Sequence, residues 1–330
     1  MRRVTDEELL DFQSYDINNY LDSSLFEIVG PQLEENERIS TKSYRYWKVV
    51  GQILITKKTF IVCLLLLLAI ILLTAIVPIG KVANPLPADL PIPNYQQPLA
   101  PNATYLFGLG MNGENYWDKI WIGMRTTLLF TLIIALIQIL IGVIVGSIWG
   151  FYKKFDILFI EITRFLNLVP TLILWLIIIF ALGKKMPVII FAVSLTSWIT
   201  LAEVIRVQII LVRNTEYNLA SKMLGTSGPK IVTKNIMPRI LPLIIQTASF
   251  AVPMAIAIDS TLNYFNFGFV QGRENTTLGF ILNEVLASSK WQDYPHLLII
   301  PICFIAGTSV LFFLFGKVFA DSLDPKNHYK

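Results

Sequence analysis

The sequence predicts an all-α membrane protein with six transmembrane helices, and two observations carry that prediction. The first is composition: 54% of the 330 residues are hydrophobic and 15% are charged, against about 25% charged in an ordinary soluble domain. The second is distribution. Apolar residues are gathered into uninterrupted runs instead of recurring at helical or strand period, and the first run, Phe60 to Ile79, spans about 30 Å as a helix, the thickness of a bilayer core. No water-soluble fold needs several such runs, which excludes a soluble enzyme, a disordered tail and a secreted disulfide scaffold. Cys63 and Cys303 lie inside apolar runs with no Cys or His at metal-ligating spacing, so both read as buried small hydrophobes.

Residues 1–58 form an N-terminal arm. Its start is acidic (Asp6, Glu7, Glu8, Asp11) and lacks the basic region of a cleaved signal peptide, so the first span serves as its own insertion signal. Leu9, Leu10, Phe12, Leu21, Leu25 and Phe26 are scattered among the acids, a pattern compatible with one or two amphipathic helices. From Ser43 to Lys58, Tyr44, Tyr46, Trp47, Val50 and Ile53 alternate with Arg45, Lys48, Lys57 and Lys58. That mixture suits an elbow helix in the lipid headgroup layer, or the basic flank of an inward-facing span. The first span covers 59–79. Pro85, Pro87, Pro91, Pro93, Pro98 and Pro101 then crowd the loop 80–126, which disfavours helix and makes the segment an extended strap or a spacer.

Residues 127–319 form the core. Its spans are Thr127–Phe151, Ile157–Gly183, Pro187–Ile210, Leu241–Leu262 and Leu297–Phe319, interrupted by a polar loop over 211–240 and a second large loop over 263–296. Pro170 and Pro253 interrupt the third and fifth spans. Residues 320–330 are a short tail. An even number of spans puts both termini on one side, and placing them in the cytoplasm leaves 20 of the 27 Lys and Arg residues inside and seven outside, as the positive-inside rule requires.

Ionisable residues within spans are costly and mark candidate functional positions. Glu161 and Arg164, and likewise Glu203 and Arg206, are three apart and share a helix face, so each pair is expected to neutralise itself. Asp259 has no such neighbour. It reads as a group near the outer end of the fifth span, facing water or a partner subunit, in preference to a proton carrier. Gly142, Gly146 and Gly150 recur every four residues and clear one face of the second span for close helix packing. There is no phosphate-binding Gly-rich loop, no His-Glu-x-x-His and no nucleophile elbow, and the chain has two histidines, so catalysis, cofactor binding, metal binding and nucleic-acid binding are not expected.

The loop over 211–240 is the most informative stretch. Leu219-Ala220-Ser221-Lys222-Met223-Leu224-Gly225 predicts a short helix carrying small residues and stopped by glycine. A second helical piece follows Gly228-Pro229, with Ile231, Ile236 and Pro238 leading into the fifth span. A short polar-side helix framed by breakers is shaped to sit in another protein's groove.

Ala220-Ser221, then Gly225, Ile231 and Pro238 at fixed spacing resemble the Glu-Ala-Ala-x-x-x-Gly loop of bacterial ABC-importer permeases. Leu219 stands where the Glu usually is, Ser221 replaces the second Ala, Asn235 takes a position often held by His, and Glu216 lies one turn earlier as an electrostatic substitute. Phe107 to Trp117 and Gly123-Met124-Arg125-Thr126-Thr127-Leu128 are similar to the segment before the second span of C-type oligopeptide and dipeptide permeases, with Glu114-Asn115 in place of an Arg-Asp pair. Asp259 to Gly268 resembles Glu-Ala-Ala-Leu-Ser-Phe-Leu-Gly-Leu-Gly, and Asp321-Ser322-Leu323-Asp324-Pro325-Lys326 resembles the Asp-Ala-Leu-Asp-Pro-Arg terminus of those subunits.

The resemblance implies a type I ABC-importer permease fold in a bacterial plasma membrane. It implies a B-type permease as heterodimer partner, two cytosolic ATPases that bind the ATP, an extracellular peptide-binding protein, and coupling to the ATPases through Glu216, Leu219, Ala220, Ser221, Gly225, Ile231 and Pro238. Import of nickel or another small solute is the alternative within the family. A proton-coupled secondary transporter and a membrane scaffold are the alternatives outside it.

Overall fold

A computed structural model describes residues 46–268 and 272–324. The expected helices of the N-terminal arm, and the end of the tail from Pro325, lie outside the described residues.

Helix α1 (Tyr46–Thr56) precedes α2 (Lys58–Ile76), with Lys57 extended at φ −79° and ψ 105° between them. α2 is apolar on every side, yet buries only the stripe Cys63, Leu67 and Thr74. An all-round apolar helix with one packed stripe is suited to lipid on its remaining faces. The Tyr46 hydroxyl donates to the Leu323 carbonyl at 2.7 Å, tying the two ends of the described chain together.

The Pro-rich segment is a strap. Asn84 donates from its backbone to the Arg273 carbonyl at 3.0 Å and from Nδ2 to the Gly272 carbonyl at 3.1 Å. Arg273 pairs with Asp89 at 2.7 Å, and Lys81 with Asp118 at 2.6 Å. Leu109 is fully buried and bridges to both Leu99 and Asn115.

Helix α3 (Tyr116–Phe151) starts eleven residues earlier than the expected second span and runs for 36 residues, about 54 Å at 1.5 Å per residue. Asn115 caps it, accepting from the Trp117 N–H at 3.1 Å. Its first turns are buried against Met111, Leu278, Ile281, Val285 and Leu297, which is why the helix continues past the apolar run.

The expected third span is two helices, α4 (Asp156–Leu168) and α5 (Thr171–Leu182), bent by 77°. Pro170 lacks an N–H and drives Val169 out of the helical region, to φ −96° and ψ 129°. Helix α6 (Met186–Arg213) returns alongside α3, and the two form the most extensive helix pair. Helix α7 (Glu216–Met223), a turn of helix at Gly228–Ile231 and a π-helical turn at Val232–Ile236 lead into α8 (Met237–Ala248) and α9 (Ala251–Tyr264). The break between α8 and α9 falls at Ser249 and Phe250, ahead of Pro253. Pro253 occupies the first turn of α9, where its missing N–H costs nothing.

The second large loop holds a further helix, α10 (Leu278–Leu286), capped by Thr277, whose Oγ1 accepts from the Phe280 N–H at 3.1 Å. The chain closes with α11 (His296–Leu323), which packs on α2, α8, α9 and α10. Five helical stretches are long and apolar enough to cross a membrane (α2, α3, α6, the run Gly228–Tyr264 and α11), and the bent α4–α5 pair makes a sixth. Cys303 is exposed on α11, contrary to expectation, whereas Cys63 is buried.

Candidate functional site

The segment joining α6 to α8 is built as a short helix clamped to the spans. Arg213 closes α6 and donates from Nη1 to the Gly150 carbonyl at the far end of α3, at 2.7 Å. Thr215 Oγ1 donates to the Val212 carbonyl at 2.8 Å, and α7 begins one residue later. Asn218, buried inside this otherwise polar helix, donates from Nδ2 to the Val212 carbonyl at 3.0 Å. Its Oδ1 accepts from Asn235 Nδ2 at 3.2 Å, and the same Asn235 amide also donates to Ser221 Oγ at 3.2 Å. Ser221 in turn donates to the Tyr217 carbonyl at 2.9 Å. Arg239 reaches back from α8, donating to the Tyr217 hydroxyl at 3.0 Å with its guanidinium 5.6 Å from the ring centroid.

The end of α7 follows from one glycine. Gly225 has φ +79°, a left-handed conformation costly for residues with a Cβ. There the Gly225 N–H donates to the Lys222 carbonyl and the Thr226 N–H to the Ser221 carbonyl, both at 3.0 Å. These two bonds close the helix end and turn the chain sharply. Beyond the turn, Ile231 is buried with Ile205, Ile209, Val212, Ile236 and Ile240.

Glu216, Leu219, Ala220, Gly225 and Pro238 are exposed, Ser221 is half-buried and Ile231 is buried. Ser221 is held through Asn235, while Glu216 makes no ion pair among the described residues. Met223 and Leu224, at 89% and 87% exposure, project from the end of α7. The anchored side of this knuckle is polar, and its free side carries Leu219, Ala220, Met223 and Leu224 beside the exposed charges of Glu216 and Lys222.

The glycine seam connects this segment to the bundle. A Cβ at Gly142 would meet the Leu201 side chain at 3.0 Å, at Gly146 the Ala202 carbonyl oxygen at 2.7 Å, and at Gly150 the Arg206 carbonyl oxygen at 2.9 Å. All three face α6, so α3 and α6 approach at backbone distance along the half of the bundle that ends at α7.

Asp259 is remote from α7. It packs beside Thr127, and Thr127 to Gly150 is about 35 Å along α3. At 2% exposure it faces no water and has partners within the chain. Asn263 Nδ2 donates to its Oδ1 at 2.9 Å and Thr127 Oγ1 to its Oδ2 at 3.4 Å, while Thr127 Oγ1 accepts from the Leu278 N–H at 3.0 Å. The carboxylate is the centre of a polar nest that seats the start of α10 on α3 and α9. Glu203 and Arg206 do not pair. Arg206 instead reaches Asp156 at 2.7 Å, with its guanidinium 4.9 Å from the Trp149 ring centroid, because the α3–α4 turn carries Asp156 to it. Glu161 and Arg164 do pair, at 3.0 Å on an exposed face.

One charged cluster is absent from the sequence-level reading. Lys119, 1% exposed, holds Glu114 Oε1 at 2.5 Å and Glu284 Oε2 at 2.7 Å, and Asn112 donates to both carboxylates. The triad joins the strap, the start of α3 and α10. The helical spacing of Leu278, Ile281, Leu282 and Val285 after Thr277 is the signal that exposes α10; its pairing with Lys119 leaves no local trace.

The family described as the binding-protein-dependent transport system inner membrane component matches residues 138–329, which include the whole α7 segment. The chain belongs to this family. It is accordingly a multi-pass protein of the plasma membrane. The oligopeptide transport system permease protein AmiD of Streptococcus pneumoniae is 33% identical over 308 residues, covering 93% of this chain and 99% of that protein. OppC of Bacillus subtilis, also an oligopeptide transport system permease protein, is 30% identical over 92% of this chain and 97% of its own length. The dipeptide transport system permease protein DppC of Bacillus subtilis is 28% identical over 70% of this chain and 72% of its own.

Proposed function

We propose that this family member is the C-type permease subunit of an ATP-driven importer of oligopeptides or dipeptides. It forms half of the translocation path beside a B-type permease, receives cargo from an extracellular binding protein, and hydrolyses nothing itself. Both termini and α7 lie in the cytoplasm, where two separate ATPase subunits bind the ATP and grip α7. The observation that carries this reading is the build of the knuckle. Its exposed side offers Leu219, Ala220, Met223 and Leu224, and its other side is fastened through Asn218 to the end of α6 and through Ser221 to Asn235 in the turn ahead of α8, while Arg213 ties the end of α6 to α3. A displacement of α7 is passed to α6 through the Asn218–Val212 bond and to α3 through the Arg213–Gly150 bond, the rigid-body coupling that alternating access requires.

Co-purification of the chain with its ATPases tests the reading. Ala220→Arg and Gly225→Arg are expected to abolish the complex and peptide-stimulated ATP hydrolysis while the chain stays in the membrane. Uptake by the lone chain, driven by a proton gradient, overturns it.

A further inference from the structure

We propose that the cleft between the start of α3 and the α5–α6 turn binds the phosphate headgroup of an anionic phospholipid. The cleft is lined by Arg125, Lys184 and Lys185 together with Thr126 and Asn275, with no acidic residue among them. Lys184 is held in place, its Nζ donating to the Asn266 carbonyl at 2.5 Å and lying 5.0 Å from the Phe267 ring centroid. Arg125 is half-buried and makes no hydrogen bond or ion pair to another described residue. A guanidinium without a protein partner leaves its forked donors available to an anion entering the cleft. Helix α6 starts at the rim of the cleft, and the positive end of its dipole adds to the potential there.

Depth and the surface beneath select a lipid. No charged residue occurs from Thr126 to Tyr152, and Lys184 and Lys185 directly follow the apolar α5. All three cations therefore stand at the same margin of the apolar band, where headgroup phosphates lie. Below them Leu129, Leu132, Leu136 and Leu140 are exposed at helical spacing along one side of α3, a track for an acyl chain under its phosphate.

The test is native mass spectrometry of the full chain released from nanodiscs containing equal phosphatidylglycerol and phosphatidylcholine. Retained phosphatidylglycerol is expected to exceed phosphatidylcholine. The Arg125→Gln/Lys185→Gln variant, with unchanged melting temperature, is expected to lower that preference about thirtyfold, each charge near the headgroup plane contributing about fivefold. Lys153→Gln/Lys154→Gln at the opposite end is expected to leave it intact. Equal retention of the two lipids, or an undiminished preference in Arg125→Gln and Lys185→Gln tested singly and together, overturns the proposal. So does displacement of the lipid by a dipeptide with a free carboxylate but not by its amide, which assigns the cleft to cargo.

Discussion

Asn235 donates from Nδ2 to Ser221 Oγ across 3.2 Å, joining the turn ahead of α8 to α7. The Ser221 hydroxyl supplies an acceptor where Asn235 needs one, and the same amide also satisfies the buried Asn218. A net gain of about 0.5–1.5 kcal/mol is ordinary for such a bond. In a double-mutant cycle of Ser221→Ala and Asn235→Ala on chain melting, a coupling of that size is expected. Additivity within about 0.3 kcal/mol means the contact is incidental.

Gly225 poses a purely conformational question, since nothing lies within 4 Å of the position its Cβ would take. Gly225→Ala is therefore expected to cost about 1–2 kcal/mol from the left-handed backbone alone. Gly225→Asn should cost less, because Asn tolerates that region. Melting of the two variants checks the ranking, and an Asn variant no better than the Ala variant contradicts it.

At Gly146 the limit is space. The added methyl of Gly146→Ala meets the backbone of α6, which cannot rotate away, whereas that of Gly142→Ala meets only the Leu201 side chain. Overpacking costs about 1–3 kcal/mol, and Gly146→Ala is expected at the upper end and Gly142→Ala at the lower. Thermal unfolding in detergent reads both, and the reverse order refutes the seam as described.

The buried triad predicts a rescue. Lys119→Met leaves Glu114 without its cation and is expected to destabilise by about 3–5 kcal/mol. Adding Glu114→Gln and Glu284→Gln to Lys119→Met should restore most of the loss, because the stranded charges are removed with it. Proteolysis of the strap over 80–115 reports the same event locally, since Glu114 anchors its end.

Local pattern was enough for the spans, the α7 helix with its glycine stop and the glycine seam, since each is written as hydropathy over 20 residues or as spacing within one or two turns. It was misleading for the third span, where Pro170 reads as a kink and is a 77° break. For Arg206 the neighbour three residues away was the wrong partner: a turn brings Asp156 closer.

By itself the amino-acid order determined that this chain lives in a bilayer, how many apolar segments it has and which polar segment folds into a short glycine-stopped helix. Those properties depend on transfer free energy and on short-range backbone geometry, and both act within a few residues. Tertiary structure alone decided that Lys119 reaches Glu284, that Asp259 meets Thr127, and that Arg125 shares a cleft with Lys184 and Lys185. Each depends on chain separated by tens of residues, up to 165 between Lys119 and Glu284. A charge's partner is set by where helices pack, and packing is decided by the whole bundle at once.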